Sequence, residues 1–281
     1  MIPKSGNRFS DKIMRTLRAS DVPEAPVKIL IFDSGVGGLT VYREVAAARP
    51  DGAYVYVADD AGFPYGNQPE SLLIARIIEI IGKAIADHAP DLVVVACNTA
   101  STLALADLRA RFAVPFVGTV PAIKPACAQS ATKRIAVLGT LATVSREYTR
   151  ALIREFAAGC DVALIGSSHL ASFAEAELAG MPVADDAIKA EIAGCFVDAD
   201  ARRTDTVVLA CTHYPLLIDR FKANAPWPVD WVDPAPAIAR RVADLLRGRP
   251  PGSPTPPPRI VFTSGRAPSP ALAAALSGYG F

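Results

Sequence analysis

Two stretches of this chain are near copies of each other: Asp91-Leu-Val-Val-Val-Ala-Cys97-Asn98-Thr99 and Asp205-Thr-Val-Val-Leu-Ala-Cys211-Thr212-His213. Each is a continuous apolar, largely β-branched run closed by small polar residues, the pattern of a parallel strand buried on both faces. Such a strand needs a sheet covered by helices on both sides, so the repeat predicts two α/β units. A weaker echo pairs Ile29-Leu-Ile-Phe-Asp33-Ser34-Gly35-Val-Gly37-Gly38-Leu-Thr40-Val41 with Ile135-Ala-Val-Leu-Gly139-Thr140-Leu-Ala-Thr143-Val144. Each half thus holds one strand ending in a small-polar loop and a later one ending in Ala-Cys.

The alternation of short β-branched runs with longer Ala/Leu-rich stretches continues from Val27 onward. Strands are expected at Lys28–Phe32, Ala53–Val57, Leu92–Ala96, Pro115–Val117, Ile135–Leu138, Val162–Ile165, Thr206–Ala210 and Ile260–Thr263. The predicted fold is α/β: two pseudo-symmetric lobes, each a mostly parallel sheet flanked by helices, with the site in the cleft between them. At 281 residues two lobes suit the usual domain size of about 100–200 residues. Gly118–Pro125 breaks the pattern with two prolines, and the chain is expected to return near Pro226–Pro236. The expected division is residues 27–119 with 230–281 as the first lobe and 120–229 as the second. The first 26 residues lack an apolar signal core and read as an extension. Arg249–Pro258, dense in proline, reads as a surface loop.

The 29 basic and 28 acidic residues leave a net charge of +1 and are well mixed, which argues against a nucleic-acid surface. No apolar run reaches the roughly 18–20 residues of a membrane span. Five cysteines at scattered spacings, an odd number, argue for free thiols in a reducing compartment, with the cytoplasm as the expected location.

In open α/β sheets ligands bind at the carboxyl ends of the strands, and both repeated cysteines stand there. Cys97 has Asn98 and Thr99 beside it; Cys211 has Thr212 and His213. These donors, with a helix start behind, are expected to favour thiolate over thiol. Two unequal thiols facing one carbon would supply the base and acid of a proton shuttle. Cys127, Cys160 and Cys195 lie in Ala-rich sequence and read as core or loop residues. Two other chemistries use the same residues. A zinc site of Cys97, Cys211 and His213 lacks the usual ligand spacing, and no metal is expected. A thiol hydrolase built on Cys211 and His213 stays open. The Ser34-Gly-Val-Gly-Gly loop lacks the lysine of a P-loop; its backbone donors are expected to hold a carboxylate at a helix start. His88 is expected to be a solvated residue of a polar loop before Pro90, and His169 to be structural.

With Asp33-Ser34-Gly-Val-Gly-Gly-Leu-Thr-Val, Asp59 before Phe63-Pro64-Tyr65-Gly66, Val-Ala-Cys97-Asn98-Thr99-Ala, Gly139-Thr140 through Thr143-Val144, and Leu-Ala-Cys211-Thr212-His213-Tyr-Pro-Leu, the chain resembles the glutamate racemases of the aspartate/glutamate racemase superfamily from about Val27 to Ser264. The resemblance implies a cofactor-independent enzyme interconverting L- and D-glutamate for peptidoglycan, commonly a homodimer. It implies that Cys97 deprotonates D-glutamate and Cys211 deprotonates L-glutamate, assisted by Asp33 and His213 respectively. It further implies substrate contacts from Asp33, Ser34, Asn98, Thr99, Thr140, Thr143 and Thr212, a substrate wall of Pro64, Tyr65 and Gly66, and, by a looser match, Glu175 in the pocket. The N-terminal 26 residues and Gly118-Thr-Val-Pro-Ala depart from the pattern. The alternatives are an aspartate or other amino-acid racemase, or a non-catalytic protein that binds an amino acid or a partner protein.

Overall fold

The computed structural model describes residues 25–249 and 255–281. The expected extension before them and the centre of the proline-dense loop lie outside the described residues. The chain begins with β1 (Lys28–Asp33), α1 (Leu39–Ala48), β2 (Ala53–Ala58), α2 (Glu70–His88), β3 (Leu92–Val95), α3 (Asn98–Arg111) and β4 (Phe116–Gly118). It continues through α4 (Ile123–Gln129), β5 (Arg134–Thr140), α5 (Leu141–Ser145), α6 (Glu147–Phe156), β6 (Asp161–Ser167), α7 (Leu170–Leu178) and α8 (Asp185–Ile192). A small hairpin of β7 (Asp198–Ala199) and β8 (Arg202–Arg203) precedes β9 (Thr206–Ala210), α9 (Ile218–Asn224), β10 (Asp230–Val232), α10 (Ala235–Leu245), β11 (Arg259–Phe262) and α11 (Pro270–Gly278).

Two parallel sheets result, ordered β11-β2-β1-β3-β4 and β10-β9-β5-β6. Written from the other edge, the second is β6-β5-β9-β10, which matches β2-β1-β3-β4 strand for strand. The cysteine strands β3 and β9 therefore occupy the same place beside β1 and β5, and β11 is an added edge strand. This correspondence also makes β10 the partner of β4. Asp230–Val232, which a boundary at residue 230 would give to the first lobe, pairs with β9 in the second sheet.

Side chains along each strand alternate between two cores, as the period of two requires. Ile29 and Ile31 pack with α1 and α10, while Leu30 and Phe32 pack with α2 and α3. In the second sheet Ala136 and Leu138 face one core and Ile135 and Val137 the other. Burying each of the larger aliphatics is worth about 1.5–3 kcal/mol, and this layering explains why the strands read as unbroken apolar runs. Helix α2 is held by Leu73, Ile77, Ile81 and Ala84 on one stripe, the spacing of a single helix face. It ends at Ala89, whose φ of 44° leaves the helical region just before Pro90. His88 is thus the last residue of a helix, not part of a loop. Among the described residues no helix is long and apolar enough to cross a membrane.

Candidate active site

Parallel register brings the strand ends of each sheet to one level. Phe32 aligns with Val95, placing Asp33 and Ser34 beside Cys97, while Gly139 aligns with Ala210, placing Thr140 beside Cys211, and Thr140 aligns with Ser167 one strand further out. A narrow cleft lies between the two sets of ends. The first lobe lines it with Ser34, Pro64, Tyr65, Gly66, Cys97, Asn98 and Thr99. The second contributes Thr140, Cys211, Thr212 and His213. Three of the expected residues, Asp33, Thr143 and Glu175, stand behind this lining. Phe63, Ser167, Ser168 and Ala171 line the cleft without having been expected. The serines follow a predicted strand after one glycine, Gly166, so the strand-end rule alone would have found them.

Cys97 caps α3: its sulfur accepts from the Ala100 N–H at 3.4 Å, and the thiol donates to Ser34 Oγ at 3.6 Å. It is 5% exposed. Burial pushes this thiol up to about 12, and the charge of nearby Asp33 adds to the effect. This overturns the expectation of a stabilised thiolate at Cys97, because one amide and one hydroxyl return less than the hydration a buried anion loses.

Cys211 sits in a different environment. Its sulfur lies 3.9 Å from His213 Nδ1, and His213 Nε2 lies 2.8 Å from Glu175 Oε1. Burial alone would depress the imidazole; hydrogen bonds to Cys211 and Glu175 outweigh it and hold His213 well above its ordinary value. The Gly37 N–H also faces Nε2, at 3.2 Å. The carboxylate is the nearer partner, and a proton on Nε2 goes to it. Cys211 accordingly faces a cationic donor, whereas Cys97 faces a hydroxyl.

The glycine loop between β1 and α1 holds a carboxylate, as expected, but one of the protein's own. The Val36 N–H donates to Glu175 Oε1 at 2.8 Å. A Cβ on Gly37 would fall 2.6 Å from His213 Cγ, so the absence of a side chain there lets the loop pack against the ring. Glu175 is thereby a support for His213 and not a wall of the cleft. Asp33 is fully buried, and its carboxylate accepts from the Gly38 N–H at 2.9 Å and from Thr212 Oγ1 at 3.2 Å. Burial raises this carboxyl, while the His213 charge and the Gly38 donor oppose the rise. It has no hydrogen bond to Cys97 and acts on that thiol through charge. Thr143 supports Thr140, its hydroxyl 3.0 Å from that of Thr140.

The side of the cleft lined by Pro64, Tyr65 and Gly66 is anchored from behind by Asp59. This buried carboxylate accepts from Tyr65 Oη, Thr263 Oγ1 and, at 2.6 Å, Arg76 Nε. Burial pushes Asp59 up, but these donors, Arg76 foremost, hold it below the usual carboxylate range. Asn98, 2% exposed, has neither amide atom hydrogen-bonded within the described structure. Among the described residues no group of three or more His, Cys, Asp or Glu side chains is arranged to hold a metal ion. A hydrolase would use only Cys211 and His213, leaving the second thiol in the same cleft without a task.

Comparison with known proteins gives consistent results. The sequence profile of a family described as Asp/Glu/hydantoin racemase matches residues 39–242. A glutamate racemase of Brucella canis is 55% identical over 228 residues, covering 81% of this chain and 82% of that protein. The crystal structure of Escherichia coli glutamate racemase, in complex with L-glutamate and an activator, UDP-MurNAc-Ala, superposes with a TM-score of 0.84 at 39% identity, over 91% of this chain and 96% of that one. The glutamate racemase from Aquifex pyrophilus superposes with a TM-score of 0.68 at 31% identity, over 90% and 94% of the two chains.

Proposed function

The chain belongs to the Asp/Glu/hydantoin racemase family, and from that premise we propose that it interconverts L- and D-glutamate by proton transfer between Cys97 and Cys211. The observation that carries this reading is the placement of the two thiols at equivalent strand ends of two matching sheets, lining one cleft. An α-carbon held there would have one sulfur on each face, the geometry that inversion by two bases requires.

The electrostatic asymmetry suits a defined starting state. With its thiol pushed up to about 12, Cys97 carries its proton in the free enzyme and is ready to donate. Cys211, opposite a protonated His213, is the base that starts the reaction. By family resemblance Cys211 removes the proton of L-glutamate and Cys97 that of D-glutamate, so the free enzyme is set for the L-to-D direction. The return reaction begins from the complementary protonation state.

An amino-acid α-proton is far less acidic than a thiol, so the carbanion-like transition state needs preorganised donors. Asn98 supports this role, because a buried amide with both ends unbonded is costly until a ligand satisfies it. We assign Ser34, Asn98, Thr99 and Thr212 to the α-carboxylate and α-amino groups, with Pro64, Tyr65, Gly66 and Thr140 bounding the side chain. Asp33 and Glu175 act from behind on Thr212 and His213. In this reading the lobes divide near residue 120 and rejoin after Val232. The enzyme works in the cytoplasm as a homodimer and supplies D-glutamate for peptidoglycan.

The test is racemisation in deuterium oxide. L-glutamate should lose optical activity and gain one α-deuteron, and Cys97→Ala or Cys211→Ala should each abolish turnover. Near-normal turnover in either variant refutes the two-thiol assignment; faster reaction with aspartate than with glutamate refutes the substrate. Absence of exchange with either amino acid leaves a binding protein.

A further inference from the structure

A buried arginine outside the cleft grips the first turn of α3 from the second lobe. Arg146 joins α5 to α6 in an extended conformation (φ −72°, ψ 143°) and is 8% exposed. Its Nη1 donates to the Thr99 carbonyl at 3.2 Å and to Thr102 Oγ1 at 2.7 Å, while Nε donates to Glu70 Oε1 at 3.0 Å. The Thr102 hydroxyl passes the grip on, donating to the carbonyls of Asn98 at 3.0 Å and Thr99 at 3.2 Å. One guanidinium therefore holds, directly or through one hydroxyl, the backbone of both cleft residues that follow Cys97. At the opposite end of α5, Thr140 Oγ1 lies 3.4 Å from Thr99 Oγ1, so the second lobe meets this turn at two points.

As a purely stabilising device the arrangement is poor. The Glu70 side chain is 62% exposed, and a pair with one partner in water is weak. Nη2 is buried with no hydrogen-bond partner among the described residues, a penalty that an apolar side chain filling the seam would not carry. What an apolar side chain would not reproduce is the grip on α3.

We propose that Arg146 is a positioning residue for the reaction: it clamps the second lobe onto the first turn of α3 and so sets where Asn98 and Thr99 meet the bound amino acid. The proposal rests on the racemase reading for the identity of that amino acid, not for the clamp itself. Arg146 touches neither sulfur, so its loss should act on binding more than on proton transfer.

The test compares full-length Arg146→Ala, Arg146→Lys and Glu70→Gln with the unaltered protein, by glutamate kinetics and by hydrogen exchange of amides in α3, β3 and β9. Arg146→Ala should raise KM roughly tenfold, the equivalent of one charge-assisted hydrogen bond, with kcat within about threefold. Exchange of the Ser101 and Thr102 amides should quicken by about the same factor, while the core strands β3 and β9 keep their protection. Lysine, which has no fork to reach both acceptors, should restore KM only in part. Glu70→Gln should change it by less than about twofold, as an exposed pair predicts. An Arg146→Ala KM within about twofold of the unaltered value, or first-turn exchange that does not change, overturns the clamp. So does loss of protection spread evenly over both sheets. If the alanine variant fails to fold, full recovery of KM and exchange in Arg146→Lys overturns it instead. Failure of the unaltered protein to racemise glutamate refutes the function and leaves the exchange measurement to decide the clamp.

Discussion

Replacing Glu175 with glutamine should lower the protonation of His213 without reshaping the site. The glutamine carbonyl can still accept from His213 Nε2 and the Val36 N–H, each now 2.8 Å from Glu175 Oε1, so what is lost is charge. A hydrogen bond to an ionised partner exceeds a neutral one by about 1–1.5 kcal/mol, which corresponds to about one pKa unit. The pair is sheltered enough for this figure to apply, with side chains 2% and 25% exposed. The sign follows from His213 lying above its ordinary value in the folded protein. A raised imidazole adds stability that is complete below the unfolded value of about 6.5 and is lost as pH rises through the folded one. Glu175→Gln should therefore be destabilised most on the acid side of neutrality and progressively less in alkali. Urea unfolding of both proteins between about pH 5.5 and 10, with the His213 ring followed by NMR, measures the difference. In kinetics the alkaline limb of kcat/KM for L-glutamate should move down by about one unit. A stability difference that is constant with pH, or a ring that titrates unchanged, would refute the assignment of Glu175 as the support of the imidazolium.

Other consequences follow from Asp59 and Cys97. Asp59→Asn should cost roughly 2–4 kcal/mol near neutrality, less than a fully buried pair because Arg76 is 35% exposed, and should raise KM by loosening Tyr65. Since Asp59 is held below the carboxylate range, its contribution exists above about 3.9 and is lost as pH falls through the lower folded value. The gap between the two proteins in urea unfolding should accordingly narrow in acid. Cys97, pushed up to about 12, should alkylate slowly in the free enzyme and gain about tenfold in rate per pH unit between about pH 8 and 10. Peptide mass spectrometry after timed iodoacetamide treatment gives this rate, and fast alkylation at neutral pH would contradict the buried, protonated thiol.

Much of the fold was legible because buried parallel strands write themselves as apolar runs. Every strand expected from the sequence is present, and the repeat around the two cysteines correctly implied matching positions in two sheets. β10 escaped because Asp230-Trp-Val is too short to form a run and is flanked by prolines. Its absence from the expected list is also why the lobe boundary was drawn before it. The lining residues Ser167 and Ser168 follow Gly166 at the end of β6, a strand that neither internal repeat covers, so no motif marked them.

The sequence by itself determined the two-sheet layout and the pair of thiols, since strand periodicity and strand-end position are local properties of the chain, while most of the remaining cleft lining was implied by the family resemblance. Only the tertiary structure decided what each group does there. Thiolate or thiol at Cys97 depends on burial, which no neighbour in sequence reveals. Glu175 meets His213 and Val36 across 38 and 139 residues, and Arg146 reaches Thr99 across 47. The Val36 and Thr99 contacts exist because the two lobes fold against each other, whereas Glu175 meets His213 because α7 packs beside the Cys211 strand end within the second lobe.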